Sequence, residues 1–300
     1  MSPAVIAESL RRVRSYRNLL QDKEAQMPLE EVAPGVFTQT DYELANVGCI
    51  VTDDGVVLVD APFAPAEARD WGAFVRSQGT PRYFVPTHAH PDHIGGHGFF
   101  SEAEMICHAS LKDEFARYPD HLSEFIPRVG AECEIDFSGF TMRAPSFTFT
   151  DRFTLRVGGR RIELLSADGH TRHHTMVWLP EAHVLFSGDN VVNQWPPMCH
   201  EGVIHGWHDT LNRIYKEIHP HVIVPGHGPV CDASFALNVR DILMGIRFRV
   251  RDAIAGGKSR EEVMEEVPYP AGFEVPKWFA EHAARMQKLS VGVFYDQIKE

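Results

Sequence analysis

The segment Thr87-His88-Ala89-His90-Pro91-Asp92-His93-Ile94-Gly95-Gly96 brings three histidines and one carboxylate together within six positions. Imidazole and carboxylate are the usual ligands of zinc and similar cations. A lone H-x-H is common on surface turns, but the order H-x-H-x-D-H is far more specific. The preceding run Tyr83-Phe84-Val85-Pro86 reads as a short buried strand ending at a proline, and two glycines follow the cluster. The four side chains therefore sit on a tight turn at a strand end, where they can converge on one point. One turn does not fill the coordination of a metal, and three later stretches supply more ligand types. His170 follows the apolar run Ile162-Glu163-Leu164-Leu165, Asp189 follows Val184-Leu185-Phe186-Ser187-Gly188, and His227 follows Val222-Ile223-Val224-Pro225-Gly226. Each is an apolar run, then small residues, then one ligand-type side chain, which is how strand ends present ligands to a shared site.

Taken together, these positions resemble the metallo-β-lactamase superfamily, which includes glyoxalase II-type thioesterases, lactonases, β-lactamases and persulfide dioxygenases. The resemblance covers residues 30–232, and every signature position is filled. It implies one metal held by His88, His90 and His170, a second held by Asp92, His93 and His227, and Asp189 bridging the two. Asp60, at the end of Val56-Val57-Leu58-Val59, resembles the family's buried aspartate behind the metal histidines, a partner that fixes the orientation of an imidazole. The implied cofactor is two Zn²⁺ per chain, with Fe²⁺ or Mn²⁺ as alternatives.

The chemistry follows from the metals. Bound zinc lowers the pKa of its water from 15.7 to about 7, so hydroxide held between two ions could attack an acyl carbon while one ion polarises the carbonyl oxygen. Asp92 is the catalytic candidate, as a general base placed by position. No G-x-S-x-G elbow competes for a nucleophile role. True β-lactamases of this type usually carry cysteine or serine where Asp189 stands, and an aspartate there resembles glyoxalase II and the lactonases. The expected function is thus a dinuclear zinc hydrolase acting on an ester, thioester or lactone of a small, partly apolar substrate. The alternatives are a persulfide dioxygenase-like oxidoreductase with one iron, and β-lactamase activity.

The ligands need a scaffold of alternating strands and helices. Strands are expected at Val36–Thr40, Val47–Thr52, Val56–Asp60, Glu104–Cys107, 153–157, 160–166, 175–179 and 183–187, with Asp53-Asp54-Gly55 and Gly158-Gly159 as turns. Helices are expected at Pro65–Gln78, from about Ala109, at Trp207–His219, Asn238–Ala255 and Pro276–Lys299, with Ser259 and Glu262 spaced as a capping box. This alternation argues α/β layering, and the resemblance implies a four-layer αβ/βα metallo-β-lactamase-type sandwich. Residues 4–23 read as an amphipathic N-terminal helix, packed on the body or at a subunit contact of a homodimer. Residues 235–300 read as a C-terminal helical extension of one domain spanning 1–300, since no linker separates them from the core.

Composition narrows the partners. A formal net charge of −12 argues against nucleic acid, whose phosphates demand a basic surface. There is no run of eighteen apolar residues to cross a membrane and no signal-peptide core. The five cysteines have no C-x-x-C spacing and read as reduced thiols of a cytoplasmic protein. The expected partner is a small-molecule substrate. Its candidate contacts are Tyr42 in the loop Asp41–Asn46, Phe140 in the irregular stretch 117–151, and Asn193, Trp195 and His200 in the loop after Asp189. Tyr42 also reads as an exposed tyrosine, and the aromatic residues of 117–151 as pins for a long insertion. Trp207 and Met198 are expected to line the same pocket. Arg247, Arg249, Arg251 and Lys258 lie where glyoxalase II carries cations for glutathione, without a specific match, so an apolar acyl body is favoured over a glutathione moiety.

Overall fold

β-Branched residues dominate the strands, and their alternation sorts side chains onto two faces of each sheet. The computed structural model describes residues 29–112, 143–172, 174–273, 275–277 and 279–300. The expected helix over 4–23, Phe140 and His173 lie outside those residues. The first sheet contains β1 (Leu29–Ala33), β2 (Val36–Gln39), β3 (Val47–Thr52), β4 (Gly55–Val59), β5 (Pro81–Val85), β6 (Glu104–His108) and β7 (Phe147–Phe149), in that order. The second contains β8 (Arg152–Val157), β9 (Arg160–Ser166), β10 (Thr175–Leu179), β11 (Val184–Gly188) and β12 (Val222–Pro225). Both are mixed: β4 to β7 pair in parallel, as do β11 and β12, and the remaining neighbours are antiparallel.

Three apolar layers follow from the alternation. Ile50, Val57, Val59 and Val85 of the first sheet face Leu164, Val177, Phe186 and Val224 of the second, filling the space between the sheets. Their neighbours Cys49, Val56, Leu58 and Phe84 point outward onto Trp71 and Val75 of helix α1 (Pro65–Gln78). On the other side, Leu165, Met176, Leu185 and Ile223 pack against α3 (Ile204–Arg213), α4 (Ser234–Ala255), α5 (Arg260–Glu266) and α6 (Ala280–Lys299). The order helix, sheet, sheet, helix is the expected four-layer arrangement. The short α2 (Pro91–Ile94) carries the second half of the histidine motif.

Local chemistry accounts for the element ends. Pro65 opens α1 at a position where its missing N–H costs nothing. Ser259 accepts from the Glu262 amide while Glu262 reaches back to the Ser259 amide, the capping box that starts α5. Gly158 and Gly159 take φ of 47° and 78°, giving the two-residue turn that matches the twist of β8 and β9. Some expectations shift. The chain is already a strand from Leu29, where it pairs with β2. Helix α3 begins at Ile204 rather than Trp207 and ends in a π-helical turn over Ile214–Ile218. Helix α6 begins at Ala280 rather than at Pro276, and just before it the Phe279 amide donates to the Pro276 carbonyl at 2.9 Å. Among the described residues no helix is long and apolar enough to cross a membrane, and Cys49, Cys107, Cys199 and Cys231 are free thiols.

Candidate metal centre

All the ligand-type side chains stand past the C-terminal ends of strands. His88 and His90 follow β5, Asp92 and His93 lie on α2 directly after it, and His170, Asp189 and His227 follow β9, β11 and β12. The two sheets are tied together at this edge. The Asn46 side chain donates to the carbonyls of Pro225 and Gly228, each at 2.8 Å, and the Thr175 amide donates to the Thr87 carbonyl at 2.6 Å. Glycine lets the segments meet: a Cβ on Gly226 would lie 1.9 Å from Asp189 Oδ1.

The seven side chains form two adjoining groups, His88, His90, His170 and Asp189 in one and Asp92, His93 and His227 in the other. His90 Nδ1 is 3.0 Å from both His88 Nε2 and His170 Nε2. Asp189 stands between the groups. Its Oδ1 is 3.1 Å from His93 Nε2, and its Oδ2 is 3.3 Å from His227 Nε2 and 3.5 Å from His170 Nε2. Asp92 Oδ2 lies 3.4 Å from His227 Nε2 and 3.8 Å from His93 Nε2.

In each of the five imidazoles one ring nitrogen is held from outside and the other faces the cluster. His93 Nδ1 donates to Asp60 Oδ2 at 2.8 Å. His170 Nδ1 donates to the Met198 carbonyl at 2.6 Å, and His227 Nδ1 to the Leu44 carbonyl at 2.9 Å. His88 Nδ1 is 3.1 Å from Thr87 Oγ1, whose single hydrogen goes to Asp60 Oδ2, so the hydroxyl oxygen accepts from His88. His90 Nε2 meets Glu201 Oε2 at 3.2 Å. In the neutral rings the inward nitrogens are therefore lone pairs. Three of them crowd together beside a carboxylate, and His93 Nε2 and Asp189 Oδ1 are buried with no hydrogen-bond partner. Lone pairs packed in this way repel one another unless a cation sits among them, so the residues fit a metal.

The electrostatics are those of a buried, charge-compensated cluster. Burial pushes His88 and His170 well below the usual imidazole range. Burial acts on His93 in the same direction, but the carboxylates of Asp189, Asp60 and Asp92 outweigh it and hold the ring well above that range. Burial raises Asp189, and the imidazoles of His227, His93 and His170 more than reverse it. Asp60 adopts φ of 58°, a left-handed conformation aspartate tolerates better than most residues, and its carboxylate also accepts from the Thr87 amide at 2.7 Å.

The expected substrate contacts are distributed unevenly. Trp195 is half-buried and lies parallel to the His227 ring, 4.4 Å between centroids, with Phe279 5.5 Å beyond it. His200 lies nearly parallel to His90 at 5.4 Å, and burial pushes it down to about 4. Asn193 is buried, and its amide donates to the Pro229 carbonyl at 2.8 Å, bracing the His227 loop. Tyr42 belongs to the apolar layer under α1, where burial first, then Glu67 and Asp70, raise its hydroxyl. Trp207, expected at the pocket, is fully buried under the second sheet and donates to the Asn190 carbonyl at 3.0 Å. Of the remaining histidines, His174 is buried behind His88 and donates to the Ser187 carbonyl at 2.8 Å, whereas His205 is exposed on α3. Sequence reasoning missed Glu201, Asn46 and Asn190, whose Oδ1 accepts from the His170 amide at 2.9 Å. Their signals were positional only: Asn190 adjoins Asp189, Glu201 adjoins His200, and Asn46 ends the loop Asp41–Asn46.

A two-sheet α/β sandwich with a histidine–aspartate cluster at the strand ends defines the class. The family model described as "Metallo-beta-lactamase superfamily" matches residues 41–227, and the chain belongs to that superfamily. It is similar to the "Beta-lactamase-like protein 2 homolog" of Caenorhabditis elegans, at 28% identity over 182 residues, covering 60% of this chain. The match spans 53% of that relative, about half its length. It is also similar to "Hydroxyacylglutathione hydrolase" of Mesorhizobium japonicum, at 28% identity over 49% of this chain and 48% of that protein. The solved structure of "Metallo-beta-lactamase from Pontibacter korlensis" aligns with a TM-score of 0.60 at 20% identity, over 73% of this chain and 99% of that one, which shows the shared fold.

Proposed function

We propose that the chain is a metal-dependent hydrolase that binds two divalent ions, zinc foremost, and cleaves an ester, thioester or lactone of a small, partly apolar substrate. The observation that carries this reading is the common orientation of the five imidazoles, each with one nitrogen held outside and one lone pair turned toward Asp189 or its neighbours. The similarity to a hydroxyacylglutathione hydrolase supports acyl transfer to water. Ions bound there would supply a water acidified toward neutrality and a Lewis acid for a carbonyl oxygen.

The chain's own residues do the rest. His88, His90 and His170 would hold one ion and Asp92, His93 and His227 the other, with Asp189 between the two groups. Asp92 is the more solvent-accessible of the two cluster carboxylates, with a side chain 22% exposed against 9% for Asp189. It is therefore the group placed to take a proton from an attacking water and return it to a leaving group. Trp195 walls the mouth beside His227 and excludes water from an apolar acyl body.

The test is metal analysis of the purified protein joined to a screen of thioesters, lactones, aryl esters and β-lactams. Two zinc per chain with turnover of an acyl substrate is the expected result. A single tightly bound iron without zinc would replace the hydrolase reading with oxygen chemistry.

A further inference from the structure

The five outer partners of the imidazoles are not alike. Asp60 and Thr87 are buried side chains, and Leu44 and Met198 contribute main-chain carbonyls. The fifth, Glu201, is a carboxylate whose side chain is 56% exposed. His90 is also the odd member of the cluster: the other four histidines turn Nε2 inward, and His90 turns Nδ1. Its outward nitrogen is Nε2, and Glu201 Oε2 meets it at 3.2 Å.

An exposed pair of this kind is ordinarily worth little, because fixing two mobile side chains offsets the attraction. Here the main chain around Glu201 is already fixed on both sides. The Cys199 amide donates to Ser290 Oγ at 2.8 Å, and the Tyr269 hydroxyl donates to the Pro197 carbonyl. Gln297 of α6 accepts from the Ile204 amide at 2.9 Å and donates to the Gly202 carbonyl at 2.8 Å. The Val203 amide donates to the Gly169 carbonyl at 2.8 Å, beside His170. Helix α6 and the segment before it thus hold one loop that delivers Met198 to His170 and Glu201 to His90.

We propose that Glu201 is a positioning residue for the metal centre: its carboxylate accepts the Nε2–H of His90, so that the His90 lone pair lies on Nδ1 and faces His88 and His170. This rests on the metal-centre reading above. Outer hydrogen-bond partners of ligating histidines fix both tautomer and ring orientation, and the exposed loop then controls one side of the cluster from outside it. The rival arrangement is a separate ion held by His90, His200 and Glu201.

The experiment is zinc titration of the metal-free protein against a competing chelator. It is run for the wild type, Glu201→Ala, Glu201→Gln and the surface control Asp209→Asn, with the visible spectrum of each Co²⁺ form. Glu201→Ala should weaken one zinc site by about 10- to 100-fold and change the Co²⁺ bands. Glu201→Gln keeps an acceptor oxygen and should recover most of the affinity, and Asp209→Asn should match the wild type. Unfolding of the metal-free forms should coincide, showing that the fold is intact. Wild-type zinc affinity and spectrum in Glu201→Ala would overturn the proposal. So would three ions per wild-type chain falling to two in both His200→Ala and Glu201→Ala. The wild-type titration alone tests the metal-centre reading: no divalent ion bound there would sink both, whereas normal binding with unaffected variants would sink only the role of Glu201.

Discussion

His93 Nδ1 lies 2.8 Å from Asp60 Oδ2, and both residues are buried. The same carboxylate accepts from the amide and the hydroxyl of Thr87, so one side chain orients His93 directly and His88 through Thr87. Replacing it with alanine removes three acceptor contacts at once. Each donor stranded in a buried site costs about 1–3 kcal/mol. Asp60→Ala should therefore lower the unfolding free energy of the metal-free protein and weaken metal binding by about 10- to 100-fold or more. Denaturant unfolding and a zinc titration read the two effects separately. Unchanged metal affinity would mean that the imidazoles are held without Asp60.

Asp189 is the carboxylate both halves of the cluster share. Asp189→Ala should drop the metal content from two ions to one or fewer and remove most hydrolytic activity. His205→Ala, at an exposed position on α3, should leave both nearly intact. Elemental analysis of the two variants side by side is the measurement, and equal loss from both would show that the site is elsewhere.

The strands were legible because β-branched runs alternate cleanly between two buried faces, as in β4, where Val57 and Val59 point one way and Val56 and Leu58 the other. The cluster was legible because its ligands stand immediately past those runs. Its supports were not. Asn46 reaches residues about 180 positions away, and Glu201 meets His90 from a loop that α6, at the far end of the chain, helps to fix. Tyr42 stands among polar residues and reads as a loop side chain, yet α1 folds over it. Trp207 shares a sequence neighbourhood with Trp195, but its place on α3 turns it into the core. Local pattern carries the faces of an element; it does not carry which distant loop lands on them.

His97 supplies a pH signature outside the histidine–aspartate cluster. Its ring is 1% exposed, donates from Nδ1 to the Ile94 carbonyl and accepts the Arg143 amide at Nε2. Burial pushes it down from 6.5 to about 4. A group depressed on folding contributes stability that is fully present above its unfolded value, and that contribution is lost as the pH falls toward the folded value. Between about pH 6.5 and 4 the unfolded chain takes up the proton first, so stability should decline by up to about 3 kcal/mol from this residue alone. His97→Gln should flatten that part of the stability–pH curve relative to wild type. Parallel curves for the two proteins would show that His97 is not the group responsible.

Trp195 offers the test of what enters the site. It lies against His227 on one face and near Phe279 of the C-terminal region on the other, while Met198, Ala283 and Met286 pack the loop behind it. The wall it makes is apolar, and burying apolar area is worth about 25 cal/mol per Å². For the wild type, kcat/KM should therefore rise with the apolar size of an ester, thioester or lactone and depend little on a glutathione moiety. Trp195→Ala should reduce that preference by about 1–3 kcal/mol, the scale of one lost pocket contact. Metal content should stay at the wild-type level, because His227 keeps its hydrogen bond to the Leu44 carbonyl at 2.9 Å. A substrate series of increasing acyl length, measured for both proteins with parallel metal analysis, separates the two effects. If a glutathione thioester outpaced every apolar ester by orders of magnitude, the pocket would be built for glutathione, and Trp195 would have to be read as a support for His227 alone.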